Sequence, residues 1–337
     1  MAPMKLSHIA IVRLSALGDI VNATVVLQFI KQKYPDLKID WITEEVFAPL
    51  LENHPLISSV HTINLKKIKK DKSVSLLKQT VKKLKNLPKY DLIIDMQGLL
   101  KSSLVARFIG KKIHGFNKDS AREKLSSLFY ASSSHVPYEL SVIKRNIALL
   151  NDALGLHVND LMIEKKQVTL PLYEKPSFVE DAYFVFVIGA SWKSKIYPKE
   201  RVVDVCNMLT CKLSFGYKSY IVWGNEQEKA DAEFIAAHCE NAQTAPKLSL
   251  SELCALISHA KLVIGNDTGP THMAWAYNIP SITLFGPTNE RMIYETSKNI
   301  AIHSDSKVDI FHIDKNDFSI KNIDPQTITT KAKELLS

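Results

Sequence analysis

Lys261-Leu262-Val263-Ile264-Gly265-Asn266-Asp267-Thr268-Gly269-Pro270-Thr271-His272-Met273-Ala274 contains the change of period on which the fold turns. Lys261–Ile264 is short and apolar enough to read as a buried strand. A polar, glycine-bearing turn follows, and Pro270 sits at the first turn of a helix over Pro270–Tyr277. A strand that runs through a turn into a helix is the repeating unit of a parallel sheet, because parallel neighbours need helical crossovers. The same turn offers unpaired N–H groups and the positive end of a helix dipole to an anion. Thr268 and Thr271 add hydroxyls. Asp267 and His272 bring the polar density above what a cap needs, although Asp267 or Thr268 capping the helix is the competing reading.

The pattern extends in both directions from this stretch. In the second half, strands read at Tyr183–Ile188, Ser219–Trp223 and Ser281–Phe285, with helices near Lys199–Cys211, Glu226–Cys239 and Ser249–Ser258. In the first half, strands read at His8–Arg13, Lys38–Ile42, Val60–Asn64, Asp91–Met96 and Lys112–Gly115. Helices there read at Ile20–Lys33, Ser75–Leu84, Leu99–Phe108 and Tyr138–Leu154, the last stopping at Gly155. The 337 residues therefore divide into an N-terminal domain (1–160), a crossing (161–180) and a C-terminal domain (181–325). A final helix (326–337) can pack back on the N-terminal domain. The fold class is α/β, with two Rossmann-like doubly wound domains facing each other across a cleft, where strand-end loops gather ligands.

Composition sets the limits. Hydrophobic residues make up 46% and charged residues 23%, an ordinary globular balance, and the formal charge of +8 points to an anionic partner. Cys206, Cys211, Cys239 and Cys254 form no CxxC pair and lie far from histidines at zinc spacing, so they read as reduced, buried thiols, and no metal is called for. The apolar stretch Ile9–Ile30 is broken by Arg13 and Asp19 and has no cleavage pattern. It is neither a secretory signal nor a membrane span, and a cytoplasmic place is expected.

Four further segments can carry chemistry. Arg13-Leu14-Ser15-Ala16-Leu17-Gly18-Asp19 is the first strand-to-helix turn, and it lacks the G-x-G-x-x-G of a dinucleotide enzyme. Asp19 reads equally as a helix cap and as a general base, and the two roles conflict because a helix N-terminus makes a carboxylate less basic. Asp95-Met96-Gln97-Gly98-Leu99-Leu100-Lys101-Ser102 ends another strand and presents Gln97 and Lys101. Gly189-Ala190-Ser191-Trp192-Lys193-Ser194-Lys195 combines small polar residues with lysines suited to a diphosphate. Trp223-Gly224-Asn225-Glu226 ends in a carboxylate suited to ribose hydroxyls. The lysine run Lys66-Lys67-Ile68-Lys69-Lys70-Asp71-Lys72 reads either as a solvated loop and helix face or as an attraction to an anionic membrane. No nucleic-acid motif accompanies it.

Together these segments resemble the ADP-heptose:lipopolysaccharide heptosyltransferases of glycosyltransferase family 9, over almost the whole chain. D-T-G-P-T-H at Asp267–His272 is the strongest match. R-L-S-A-L-G-D, D-M-Q-G-L-L-K-S and the stretch Gly115–Tyr130 resemble the heptosyltransferase I subgroup. The resemblance implies a GT-B arrangement and a metal-independent, inverting transfer of heptose from ADP-heptose to Kdo of Kdo-lipid A, with no cofactor.

By position, the resemblance makes Asp19 the base and Lys195 the lysine on the donor phosphates. Glu226 falls on the ribose, Leu248 under the adenine and Asp267 on the heptose, while Thr268, Gly269 and His272 form the diphosphate turn. Ser191 and Trp192 stand where the family often has threonines. Lys66, Lys67, Gln97, Lys101 and Arg122 fall on the acceptor side. Further implications are contact with the cytoplasmic face of the inner membrane, domain closure around the reactants and an oligomeric state compatible with a monomer. The alternatives are a later-acting heptosyltransferase of type II or III and a non-catalytic nucleotide-sugar binding protein. A nicotinamide oxidoreductase is disfavoured by the missing glycine fingerprint.

Overall fold

The computed structural model describes residues 6–179, 182–213 and 217–337, with backbone alone for 211–213. The chain divides into two compact units, Met1–Pro171 and Leu172–Ser337.

The first unit is built on strands β1 (His8–Val12), β2 (Lys38–Glu44), β3 (Ser59–Ile63), β4 (Leu92–Asp95), β5 (Ile113–Phe116) and β6 (Ser132–Ser134). Their order is β3-β2-β1-β4-β5-β6, and every described pairing is parallel. Ile9, Ala10, Ile11 and Val12 are fully buried, as a central strand covered on both faces requires. The crossovers are α1 (Leu17–Ala23), α2 (Val26–Lys33), α3 (Leu65–Asp71), α4 (Val74–Lys85) and α5 (Leu100–Ile109). After the sheet come α6 (Val142–Leu154) and α7 (Asp160–Glu164).

Three readings are corrected here. The helix expected over Ile20–Lys33 is two, parted at Thr24, whose hydroxyl bonds back to Val21 O at 2.7 Å and across to the Thr169 hydroxyl at 3.1 Å. The lysine run is helical: Asn64 caps α3 by accepting the Lys67 N–H at 2.9 Å. Helix α6 starts at Val142 rather than Tyr138, because Ser141 supplies the cap to the Lys144 N–H. It ends at Gly155, which takes φ +62° in the left-handed region.

The second unit repeats the plan. Its strands are β7 (Tyr183–Val187), β8 (Lys218–Val222), β9 (Ala242–Thr244), β10 (Leu262–Asn266), β11 (Ser281–Phe285) and β12 (Asn299–His303), ordered β12-β11-β10-β7-β8-β9. The helices are α8 (Lys199–Leu213), α9 (Glu226–His238), α10 (Leu250–Ser258), α11 (Gly269–Ala276) and α12 (Pro325–Leu336). Counted within each unit, the two strand orders are the same, a doubly wound 3-2-1-4-5-6. Gly265 sits inside β10 because a Cβ there would lie 2.6 Å from Val187 Cβ and 2.7 Å from the Thr271 hydroxyl.

The terminal helix belongs to the second unit. Ile328 and Ala332 of α12 enter the second unit's own core beside Val205, Cys206 and Ile282, and the helix packs along α8. Cys206, Cys239 and Cys254 are buried free thiols, while the side chain of Cys211 lies outside the described residues. Among the described residues no helix is long and apolar enough to cross a membrane.

Candidate active site

In the second unit the site grows from the end of β10. Asn266 is buried and ties two loops together. Its amide donates to Ile188 O at 2.7 Å, and its oxygen accepts the Tyr197 N–H at 3.0 Å. This brings the turn that carries Lys195 against the start of α11. Lys195 Nζ then stands 2.5 Å from Asp267 Oδ2. The same oxygen accepts from the Thr288 hydroxyl at 2.8 Å, and Asp267 Oδ1 faces His272 Nε2 at 3.1 Å. Burial pushes the Asp267 carboxyl up, but the His272 hydrogen bond and the Lys195 charge outweigh it and hold the group well below the usual carboxylate range.

The capping reading of this turn is therefore corrected. Asp267 spends both oxygens on side chains, and Thr268, the N-cap, makes no side-chain capping bond. The first-turn N–H groups of α11 have no capping side chain from either residue, so an incoming anion can take them. Among the described residues, His272 Nδ1 and the Ser194 hydroxyl are buried without a hydrogen-bond partner, which leaves two polar groups for a ligand to satisfy.

Around this centre Trp192 is half-buried, with Lys195 Nζ 5.6 Å from its ring centroid and Lys315 Nζ 4.9 Å from it, and Ser191 is exposed. At the end of β8, Glu226 is exposed as the first residue of α9, and it is Glu228 that shapes the turn. Glu228 accepts from Gly224 N at 2.6 Å and Asn225 Nδ2 at 2.8 Å. Gly189 faces this carboxylate so closely that a Cβ would come within 2.6 Å of it. Leu248 lies half-buried in the next loop, which is pinned to the Trp223–Gly224 turn by a Trp223 Nε1 bond to Ala245 O at 2.7 Å.

In the first unit Asp19 is 27% exposed and doubly held. Arg13 Nη2 lies 2.7 Å from Oδ1, and the Ala16 N–H donates to Oδ2 at 3.2 Å. Asp19 thus braces its own helix end from inside the first turn and is ion-paired as well. Gln97 receives the Leu14 N–H at 2.8 Å, and the Ser15 hydroxyl accepts from Gln97 at 3.3 Å and from Lys101 Nζ at 2.9 Å. Asp95 anchors this end of the sheet. It accepts from Gln97 N, Gly98 N, the Ser102 hydroxyl and the Tyr130 hydroxyl, while complete burial raises its carboxyl. Lys67 and Arg122 are exposed. Lys66 lines a pocket of about 230 Å³ with Glu44, Glu45, Val46 and Asn64.

Sequence reasoning missed Arg13, Thr288, Lys315 and Glu44. Glu44 is a buried carboxylate that burial pushes up and that the Leu65 N–H and the charges of Lys101 and Lys66 pull back. Its signal was the Glu44-Glu45 pair at the carboxyl end of a parallel strand. That of Thr288 was Gly286-Pro287-Thr288 after β11.

Two doubly wound units, one carrying an ammonium clamped by a buried carboxylate at an open helix N-terminus, mark the GT-B class of glycosyltransferases. Residues 78–312 match glycosyltransferase family 9 (heptosyltransferase), and the chain belongs to that family. It is 35% identical to the lipopolysaccharide heptosyltransferase 1 of Campylobacter coli, over 97% of this chain and 98% of that one. With that of Pseudomonas aeruginosa it is 31% identical over 84% and 79%. Among solved structures, the Escherichia coli heptosyltransferase WaaC with ADP superposes with a TM-score of 0.81 at 23% identity, covering 97% of this chain and 99% of that one. The WaaC structure with ADP-2-deoxy-2-fluoro heptose gives a TM-score of 0.79 at the same identity and coverage. These superpositions show the shared fold.

Proposed function

We propose that this enzyme is a first-acting lipopolysaccharide heptosyltransferase that moves L-glycero-D-manno-heptose from ADP-heptose to Kdo of Kdo-lipid A. One observation carries the reading above the rest: likeness to lipopolysaccharide heptosyltransferase 1 runs nearly end to end, at 35% identity over 97% of the chain. The second unit takes the donor. Lys195 and the N-terminal N–H groups of α11 meet the diphosphate, Asp267 holds Lys195 in place and contacts the heptose, and Glu226 and Leu248 receive ribose and adenine.

The first unit takes the acceptor, with Lys66, Lys67, Gln97, Lys101 and Arg122 meeting its acidic groups at the cytoplasmic face of the membrane. A Kdo hydroxyl attacks the anomeric carbon as the bond to the β-phosphate breaks, and the configuration inverts. The hydroxyl proton passes to Asp19, and the charge left on ADP is met by Lys195 and the helix end. Arg13 holds the Asp19 carboxylate in place through their ion pair. The proton moves after positive charge has built up on the sugar, when the attacking hydroxyl is strongly acidified.

The test is a transfer assay with ADP-heptose against Kdo-lipid A and against an already heptosylated core. Transfer to the first alone is expected. Transfer only to the second would assign the chain to a later step, and transfer to neither would remove the assignment.

A further inference from the structure

Six exposed apolar side chains of the first unit, Val74, Leu77, Leu104, Phe108, Leu125 and Leu128, lie on adjoining elements. Leu125 and Leu128 lie on the 3-10 turn Lys124–Phe129 and are 60% and 78% exposed. A 3-10 helix has three residues per turn, so the two leucines stack on one outward face. This turn packs on α5, whose exposed stripe runs Lys101, Leu104, Phe108. Helix α5 packs in turn on α4, where Val74 and Leu77 are exposed.

Charge surrounds these ridges. Residues 65–85, spanning α3 and α4, carry nine lysines against one acid, Asp71, and Arg122 and Lys124 flank the leucines. Met1–Pro171 holds 26 Lys and Arg against 15 Asp and Glu, whereas Leu172–Ser337 holds 17 against 20. The net positive charge of the chain belongs wholly to the unit that presents the leucines.

We propose that the Leu125–Leu128 turn is a wedge that enters the interfacial layer of an anionic bilayer, while the lysines of α3 and α4 meet lipid phosphates. This deepens the membrane-face reading above and rests on it. A bilayer fits this surface better than a protein does. Protein interfaces are depleted of lysine at their centres, whereas lysine-ringed leucine and phenylalanine are the composition of membrane-surface elements.

The test is flotation of the full-length enzyme with vesicles of phosphatidylcholine, with and without phosphatidylglycerol. Wild type is expected to float with the anionic vesicles, and salt should weaken this. The L125S/L128S variant is expected to partition roughly 100-fold less, about tenfold per leucine. Its melting temperature and ADP affinity should stay at wild-type values. Tryptophan at the tip (Leu128→Trp) should shift its emission to the blue on adding anionic vesicles, a readout independent of the double variant. Wild type that floats with neither vesicle overturns the membrane-face reading itself. Equal flotation of wild type and L125S/L128S leaves that reading standing and overturns the wedge. An oligomer by sedimentation that L125S/L128S turns into a monomer assigns the leucines to a self-interface instead.

Discussion

Asp267→Asn tests the central claim about the donor site. The native carboxylate takes Lys195 Nζ at 2.5 Å, the Thr288 hydroxyl at 2.8 Å and His272 Nε2 at 3.1 Å, and is only 3% exposed. An amide keeps the shape but removes the charge, and it turns one acceptor into a donor that must face Lys195 or His272. The Lys195 side chain, 12% exposed, loses its counter-ion. Removing one partner of a buried pair costs about 3–5 kcal/mol, and each kcal/mol is about 2–4 °C in a unit of this size, so melting should fall by roughly 6–20 °C. Scanning calorimetry at pH 7 measures this. Combining Asp267→Asn with Lys195→Met removes the stranded charge and should restore about 1 kcal/mol or more relative to the single variant. The acid limb gives a second check. A carboxyl held below its unfolded value of about 3.9 stabilises fully above that pH and loses its contribution as pH falls towards the native value, so wild type and variant should converge below about pH 4. An Asp267→Asn protein melting within about 2 °C of wild type at pH 7 would refute the clamp.

Four other substitutions have defined outcomes. Asp19→Asn should cut turnover by about 10²–10⁴-fold while isothermal titration finds ADP affinity unchanged, and a loss under about tenfold would remove Asp19 as the base. Asp40 accepts from His61 at 2.9 Å and Tyr90 at 2.8 Å and stands 3.1 Å from His8. Burial raises its carboxyl, but these partners outweigh burial and lower it. Asp40→Asn should therefore cost about 1.5–3 kcal/mol in denaturant melts at pH 7, with the difference shrinking as pH falls below about 4. Asp95 is the opposite case, since burial raises its carboxyl and ionisation above about pH 4 works against the fold. Asp95→Asn should stay within about 1 kcal/mol of wild type because the Ser102 and Tyr130 hydroxyls can turn to accept. Asp95→Leu strands the Gln97 and Gly98 N–H groups and should cost more than about 2 kcal/mol in the same melts.

Elements whose limits are set by their own residues were legible in the sequence. Ser281–Phe285 and Pro325–Leu336 read to the residue because an apolar run and a first-turn proline mark them locally. Strand β6 did not, since Ser132-Ser133-Ser134 has no strand periodicity. It pairs because His114 on β5 reaches the hydroxyls of Ser132 and Ser134, each at 2.8 Å. The break at Thr24 likewise depends on Thr169, a partner far along the chain. In the site, the segments bearing Lys195 and Asp267 were each readable as anion-binding, but their contact joins residues 72 apart. Arg13 read as an interruption of an apolar stretch and as the first residue of the Arg13–Asp19 turn, with no role of its own. Its pairing with Asp19 required the turn between them to be folded.

The place of α12 bears on how the protein is made. Ile328 and Ala332 complete the second unit's core, so that interior closes only once α12 has left the ribosome. The first unit ends at Pro171 and can close while synthesis continues. Until α12 arrives, the second unit holds an open apolar centre along α8. A chain cut before Pro325 would keep that gap, open to chaperones and proteases.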